Sequence, residues 1–193
     1  SSPEMIERAP AGGPVQFSVG TAEGFSADGV DVLVSNAALQ WGPTHRELLV
    51  RWAGALSPGG WLAFQVPANF DAPSHALMRE LAESPAWRDR LGGVLRGPVS
   101  VAPPLEYLRL LSDAGLDADV WQTQYIHVLQ GEDPVLEWVR GTGLRPVLAA
   151  LSADDGAAFS AEYGALLGDA YPRRSYGTAF PFKRTFAVGS RRD

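Results

Sequence analysis

Residues 30–41, VDVLVSNAALQW, constrain the fold of this chain more than any other stretch. Val30-Asp31-Val32-Leu33-Val34 is mostly β-branched and apolar, the composition of a strand buried on both faces of a parallel sheet. Four small residues follow, Ser35-Asn36-Ala37-Ala38, which let a ligand approach the backbone, and a helix is expected after them. In open α/β sheets, ligands bind beyond the carboxyl ends of the strands, so residues 35–41 stand where a site is expected. An ordinary strand-to-helix turn without a ligand is the plainer reading of the same residues.

The flanking sequence alternates between helix and strand. Ser2-Pro3-Glu4 reads as a helix start, with Ser2 at the N-cap and Pro3 at the first helical position. Chains rarely begin on a helix cap without an initiator methionine, so the expectation is that part of the protein precedes Ser1. Val15-Gln16-Phe17-Ser18-Val19 alternates like a strand, and residues 20–24 leave it as a loop. Thr44 and Glu47 have the spacing of a capping box. Leu48, Leu49, Trp52, Ala53 and Leu56 then mark one helical face, which Ser57-Pro58-Gly59-Gly60 ends. Residues 61–66 read as a further buried strand, and the order so far is α/β.

Beyond it, residues 67–97 read as a covering insert with a helix over 75–83. A helix carrying Leu105, Leu108 and Leu111 closes at Gly115, a C′ glycine. Residues 117–128 alternate as a strand, with Val120, Gln122 and Gln124 on one face and Trp121, Thr123 and Tyr125 on the other. Helices are expected over 134–140, 147–151 and 154–168, and a last strand over 180–188. The whole chain, residues 1–193, reads as one domain in which 67–100 and 129–175 form covering, lid-like segments.

Composition excludes several classes. A formal charge of −6 argues against nucleic acid, which demands a basic face. The absence of cysteine removes disulfides, thiol nucleophiles and thiolate metal sites. His45, His75 and His127 lie far apart with no ligand spacing, so no metal is expected. No apolar run approaches the roughly 20 residues of a membrane span, no signal peptide is visible, and a cytoplasmic protein is the default.

The stretch DVLVSNAA resembles the strand end of short-chain dehydrogenases. Those enzymes pair a tyrosine with a lysine four residues on, where Tyr107, Tyr125 and Tyr163 are followed here by Leu111, Leu129 and Leu167. The glycine-rich fingerprint is missing as well, so that reading is set aside. Leu56-Ser57-Pro58-Gly59-Gly60 before one strand, and Leu111-Ser112-Asp113-Ala114-Gly115 before the next, resemble class I S-adenosylmethionine-dependent methyltransferases.

The likeness narrows on Ser35-Asn36-Ala37-Ala38-Leu39-Gln40-Trp41, Val66-Pro67-Ala68-Asn69-Phe70, Trp121-Gln122-Thr123-Gln124-Tyr125-Ile126-His127, Glu137-Trp138-Val139 and Gly143-Leu144-Arg145-Pro146. These are similar to the trans-aconitate 2-methyltransferase family, a likeness that runs from Ser1 to about Val188. It implies a Rossmann-like class I methyltransferase sheet under a helical lid, lacking here its N-terminal strand-helix-strand with the glycine-rich loop and ribose-binding acid. The exposed edges this would leave invite pairing with another chain, so an oligomer is one expectation.

The resemblance implies S-adenosyl-L-methionine as methyl donor, S-adenosyl-L-homocysteine as product and a small polycarboxylic acid, trans-aconitate first, as substrate. Ser2, Thr21, Ala22, Asn36, Ala37, Ala38 and Trp41 would border the cofactor, with Thr21 standing where relatives commonly carry an acid. Gln40, Asn69, His75, Tyr125, His127, Trp138, Arg145, Tyr171 and Arg184 would face the substrate. Arg145 is the first candidate for a bidentate carboxylate clamp, and Lys183 and Arg184 point to opposite faces of their strand. A carboxylate is already ionised at neutral pH, so no catalytic base is expected. The second reading is a non-catalytic Rossmann-like fragment that binds an acidic metabolite.

Overall fold

A computed structural model describes residues 3–10, 12–95, 97 and 101–192. The expected cap at Ser2 lies outside them. Helix α1 spans Pro3–Glu7, and the next regular element is strand β1, Val32–Asn36. A single 3-10 turn, Leu39–Trp41, precedes α2, His45–Ala55, and β2, Trp61–Pro67. There follow α3 (Pro73–Ala82), α4 (Arg88–Leu91), α5 (Pro104–Asp113) and β3 (Leu116–Leu129). Helices α6 (Pro134–Arg140), α7 (Arg145–Ala150) and α8 (Ala153–Ala170) lead into β4, Thr178–Arg191. The strand order is β1-β2-β4-β3, with β1 and β2 parallel. Apart from a strand expected over residues 15–19, the elements expected from periodicity are present, with ends displaced by a few residues.

The chain divides into two compact units: residues 1–65, 104–120 and 187–193 form the first, residues 66–103 and 121–186 the second. In the first, the stripe read from the sequence packs as expected, since Leu48, Leu49, Trp52, Ala53 and Leu56 are all buried. Phe64 of β2 meets Tyr107 of α5 edge-on at 5.1 Å, and Leu62, Leu111 and Leu116 complete that core. In the second unit Trp87, Phe159, Tyr163 and Phe180 anchor a core shared by α3, α4, α6, α7, α8 and β4.

Three local expectations are corrected. Strand β1 is not buried on both faces: Leu33 is 6% exposed, whereas Val32 and Val34 are 60% and 71% exposed. It is the terminal strand in the order, and the face that carries Val32 and Val34 is largely open to solvent. Residues 15–19 form no strand, and Val15, Phe17 and Val19 are exposed. Apolar alternation makes a strand only where a neighbouring backbone takes up the N–H and C=O groups. Thr44 does occupy the N-cap of α2, but its side chain makes no capping bond; its carbonyl accepts the Leu48 N–H at 3.0 Å.

Two glycines close turns at positive φ. Gly115, after α5, has φ +90 with open space around a virtual Cβ. Gly177 has φ +118, and a Cβ there would lie 2.7 Å from the Leu129 carbonyl oxygen. Placing alanine at Gly115 therefore costs the conformational penalty alone, about 1–2 kcal/mol, and at Gly177 the penalty plus overlap with fixed backbone. Denaturant melts of the two alanine variants should show the larger loss at Gly177; an equal or smaller loss there would contradict the packing described.

Candidate functional site

The carboxyl end of β1 is held from β2 by one side chain and one carbonyl. Gln65 donates through Nε2 to Asn36 Oδ1 at 2.7 Å, and its carbonyl accepts the Ala37 N–H at 3.0 Å. Ala37 sits at φ +49, an uncommon conformation for a residue with a Cβ. The Ala37 carbonyl accepts Gln40 Nε2 at 2.8 Å, so Gln40, 6% exposed, serves the turn itself. Strain of this kind persists only where neighbours impose it. Asn36 is exposed and Trp41 is 55% exposed, with Ala37 and Ala38 between them.

His45 fixes what lies below. It is 2% exposed, with Nδ1 3.2 Å from the Gly42 carbonyl oxygen and Nε2 3.0 Å from the Tyr107 hydroxyl. The carbonyl can only accept, so Nδ1 carries the proton and Nε2 accepts from Tyr107. Burial lowers the His45 pKa and keeps the ring neutral. Nearby, Thr21 Oγ1 accepts the Gly24 N–H at 3.1 Å, which leaves its hydroxyl proton for another acceptor, while the Ala22 carbonyl takes the Phe25 N–H at 3.2 Å. Thus Thr21, Ala22, Asn36, Ala37, Ala38 and Trp41 all lie in the first unit.

In the second unit, alternation along β3 and β4 separates two faces. One is aromatic. Tyr125 stacks on His127 with centroids 6.2 Å apart, and His127 lies 4.7 Å from Trp138 of α6. Trp138 meets Phe182 at 6.0 Å, and the Arg184 guanidinium lies 5.0 Å from the Phe182 ring. Four of the residues expected to face substrate, Tyr125, His127, Trp138 and Arg184, are therefore brought together. Tyr171 packs on Phe180 at 5.4 Å and accepts the Ser74 N–H at 3.0 Å. Ser74 Oγ is 3.1 Å from His75 Nδ1. Burial pushes the His75 pKa down to about 4, helped by the charge of Arg79.

The other face opens into a cleft of about 500 Å³, lined by Asp71, Gln124, Tyr171, Arg174, Tyr176 and Lys183 among others. Asn69 borders it, with both ends of its amide committed: Oδ1 accepts the Lys183 N–H at 2.6 Å and Nδ2 donates to the Lys183 carbonyl at 2.9 Å. Lys183 Nζ pairs with both oxygens of Asp71, at 2.8 and 2.9 Å. Arg145 is exposed at the start of α7 and lines neither this cleft nor the smaller cavity beside α6. The cleft residues Asp71, Gln124, Arg174, Tyr176 and Lys183 were not among the sequence candidates. Lys183 had a strand face to mark it, but nothing local signals that Arg174 and Asp71 share its cleft. No group of His, Asp or Glu among the described residues could hold a metal ion. No helix among them is long and apolar enough to cross a membrane.

A family described as "Methyltransferase domain" matches residues 1–64. Trans-aconitate 2-methyltransferase of Streptomyces avermitilis is 53% identical over 97% of this chain and 73% of its own length. The enzymes of that name from Streptomyces coelicolor and Rhodococcus jostii are 54% and 50% identical, over 65% and 75% of their lengths. Among solved structures, the YcgJ protein of Bacillus subtilis shares the fold, with a TM-score of 0.58 at 16% identity, covering 100% of this chain and 80% of that one.

The His75 pKa sets a pH dependence. The ring binds its proton near pH 6.5 when unfolded but near 4 when folded, so the stability is complete above 6.5 and is lost as pH falls toward 4. Replacing His75 by glutamine should flatten that part of the loss. Denaturation midpoints at pH 7 and pH 5 check this: a fall as steep in the variant as in the parent would contradict it.

Proposed function

The chain belongs to the trans-aconitate 2-methyltransferase family, and from that premise we propose that the protein carrying it methylates a carboxylate of a small polycarboxylic acid, trans-aconitate foremost, to form a methyl ester. The observation that carries this reading is the 53% identity over 97% of the chain to a relative of that name. It favours an enzyme over a non-catalytic fragment that merely binds an acidic metabolite.

S-adenosylmethionine supplies an electrophilic methyl group: a carboxylate oxygen forms the new O–C bond as the C–S bond breaks, the electron pair leaves on sulfur, and no proton has to move. The residues of the first unit fit such a donor. Ala37 and Ala38 present backbone with minimal side chain at the end of β1, and the left-handed Ala37 shapes that turn. Asn36, its Oδ1 held by Gln65, keeps its Nδ2 protons for an acceptor. The exposed indole of Trp41 can face a cation. Thr21 and Ala22 offer a hydroxyl and backbone groups on the neighbouring loop.

The chain's remaining task is positioning. A carboxylate needs no general base at neutral pH, and in-line placement of two reactants is worth roughly 7–11 kcal/mol at best. We assign Tyr171 of the second unit, which borders the cleft, to the substrate side, with His75 held close behind it through Ser74. Asn69 pins the Lys183 backbone there with its Oδ1 and one Nδ2 proton, and its second Nδ2 proton remains for an acceptor.

Incubating the intact protein with methyl-labelled S-adenosylmethionine and trans-aconitate should give a labelled monomethyl ester, at a rate nearly constant from pH 6 to 8. Label confined to another class of acceptor, or a rate rising tenfold per pH unit, would contradict the proposal. Trp41→Ala should weaken S-adenosylmethionine binding about 3- to 30-fold while leaving the KM for the acid unchanged. Equal losses for both would remove Trp41 from the cofactor side.

A further inference from the structure

The cleft beside Asn69 carries a distinctive charge pattern. In a chain with a formal charge of −6, its ionised side chains are Arg174, Lys183 and Asp71, which leave one net positive charge. Two of the three neutralise each other, since Lys183 Nζ lies on the Asp71 carboxylate. Arg174 is different. Its guanidinium makes no hydrogen bond or ion pair among the described residues.

Its backbone, by contrast, is fixed. The Arg174 N–H donates to the Gly177 carbonyl at 3.0 Å, and the Gly177 N–H returns to the Arg174 carbonyl at 3.1 Å. Gln130 Nε2 donates to the Tyr176 carbonyl at 2.9 Å, bracing the same turn. Gly177 is the residue that permits this closure, at φ +118. A turn pinned at three points thus sets Arg174, exposed and with an uncommitted guanidinium, in the lining of a cleft with short, stiff walls, Pro73, Pro172, Ala179 and Pro181. Such a wall loses little side-chain freedom when a ligand enters. The volume, about 500 Å³, falls within the range of small-molecule sites.

Resting on the reading of a polycarboxylic acid substrate, we propose that this cleft holds a carboxylate that does not react, with Arg174 as its bidentate clamp and Lys183 as the second cation. The planar fork of arginine matches a carboxylate with two parallel N–H donors. Lys183 has three N–H donors, and Asp71 takes two of them. Tyr176 and Gln124 add neutral donors at the rim. The assignment moves the clamp from Arg145, which lines neither of the two cavities described above, to a residue placed by a turn. It makes Arg174 a specificity-determining residue for acids with more than one carboxylate.

The test uses the intact protein carrying Arg174→Gln, with Arg174→Lys and Arg173→Gln beside it. Arg174→Gln should raise the KM for trans-aconitate about 10- to 100-fold, with kcat and the KM for S-adenosylmethionine within twofold. Arg174→Lys should recover part of the loss, and Arg173→Gln should change nothing. Against dicarboxylic analogues that lack one carboxylate, the Arg174→Gln penalty should shrink to under threefold for the analogue missing the clamped group. A KM unchanged in Arg174→Gln, or a penalty equal for every analogue, overturns the clamp while leaving the methyl-transfer reading intact. If the parent protein methylates no polycarboxylate, that reading fails, and calorimetry with trans-aconitate decides the cleft alone. Binding lost in Arg174→Gln supports the anion site; equal binding in both, or none in the parent, overturns it.

Discussion

One side chain organises the second unit. Asn69 behaves as an extra piece of strand: its amide gives and takes the two hydrogen bonds that a neighbouring backbone would exchange with Lys183. The Ala68 N–H adds a bond of 2.9 Å to the same Lys183 carbonyl. Together these fix the loop after β2 against β4. That loop carries Asp71, reaches the start of α3 and so places Ser74 and His75. Because Asn69 is 2% exposed, each of those bonds is protected from water and costly to leave unmade. The shape of the cleft and the attitude of α3 both follow from this one amide.

The first unit rests on a comparable economy of contacts. Gln65 grips Asn36 and Ala37, and His45 joins Gly42 to Tyr107. The turn between them is thereby held in a conformation that alanine does not choose unaided. A small, rigid, exposed backbone turn at the end of a parallel strand is what a nucleoside donor needs from its host. The polar atoms that build these turns are mostly used up in building them. Gln40 through its Nε2 and Asn69 through both ends of its amide serve in this way.

Local periodicity was legible in the residues themselves. The Leu48–Leu49–Trp52–Ala53 stripe, the stop at Ser57-Pro58-Gly59-Gly60, the glycine at 115 and the helix over Pro134–Arg140 all declared themselves through spacing and turn chemistry. Where the outcome depended on a distant neighbour, the sequence was silent or misleading. Val15, Phe17 and Val19 alternate but have no strand to pair with among the described residues, and Val32 and Val34 are apolar yet exposed. The candidate site divides in the same way. Tyr125, His127 and Arg184 stand on a face that strand alternation fixes, whereas Arg174 and Asp71 lie 103 positions apart in sequence and meet only through the fold.

The two halves of the proposed chemistry have separate seats, a nucleoside donor at the β1 turn and an anionic acid at the cleft on β4. Backbone amide shifts in the nitrogen–proton correlation spectrum of the intact protein test it in one titration series. S-adenosylhomocysteine should move the amides of residues 36–41, and trans-aconitate added afterwards should move those of Gln124, Arg174, Tyr176 and Lys183. Shifts from the acid clustered instead at Arg145 and the start of α7, with the cleft amides unmoved, would contradict the account.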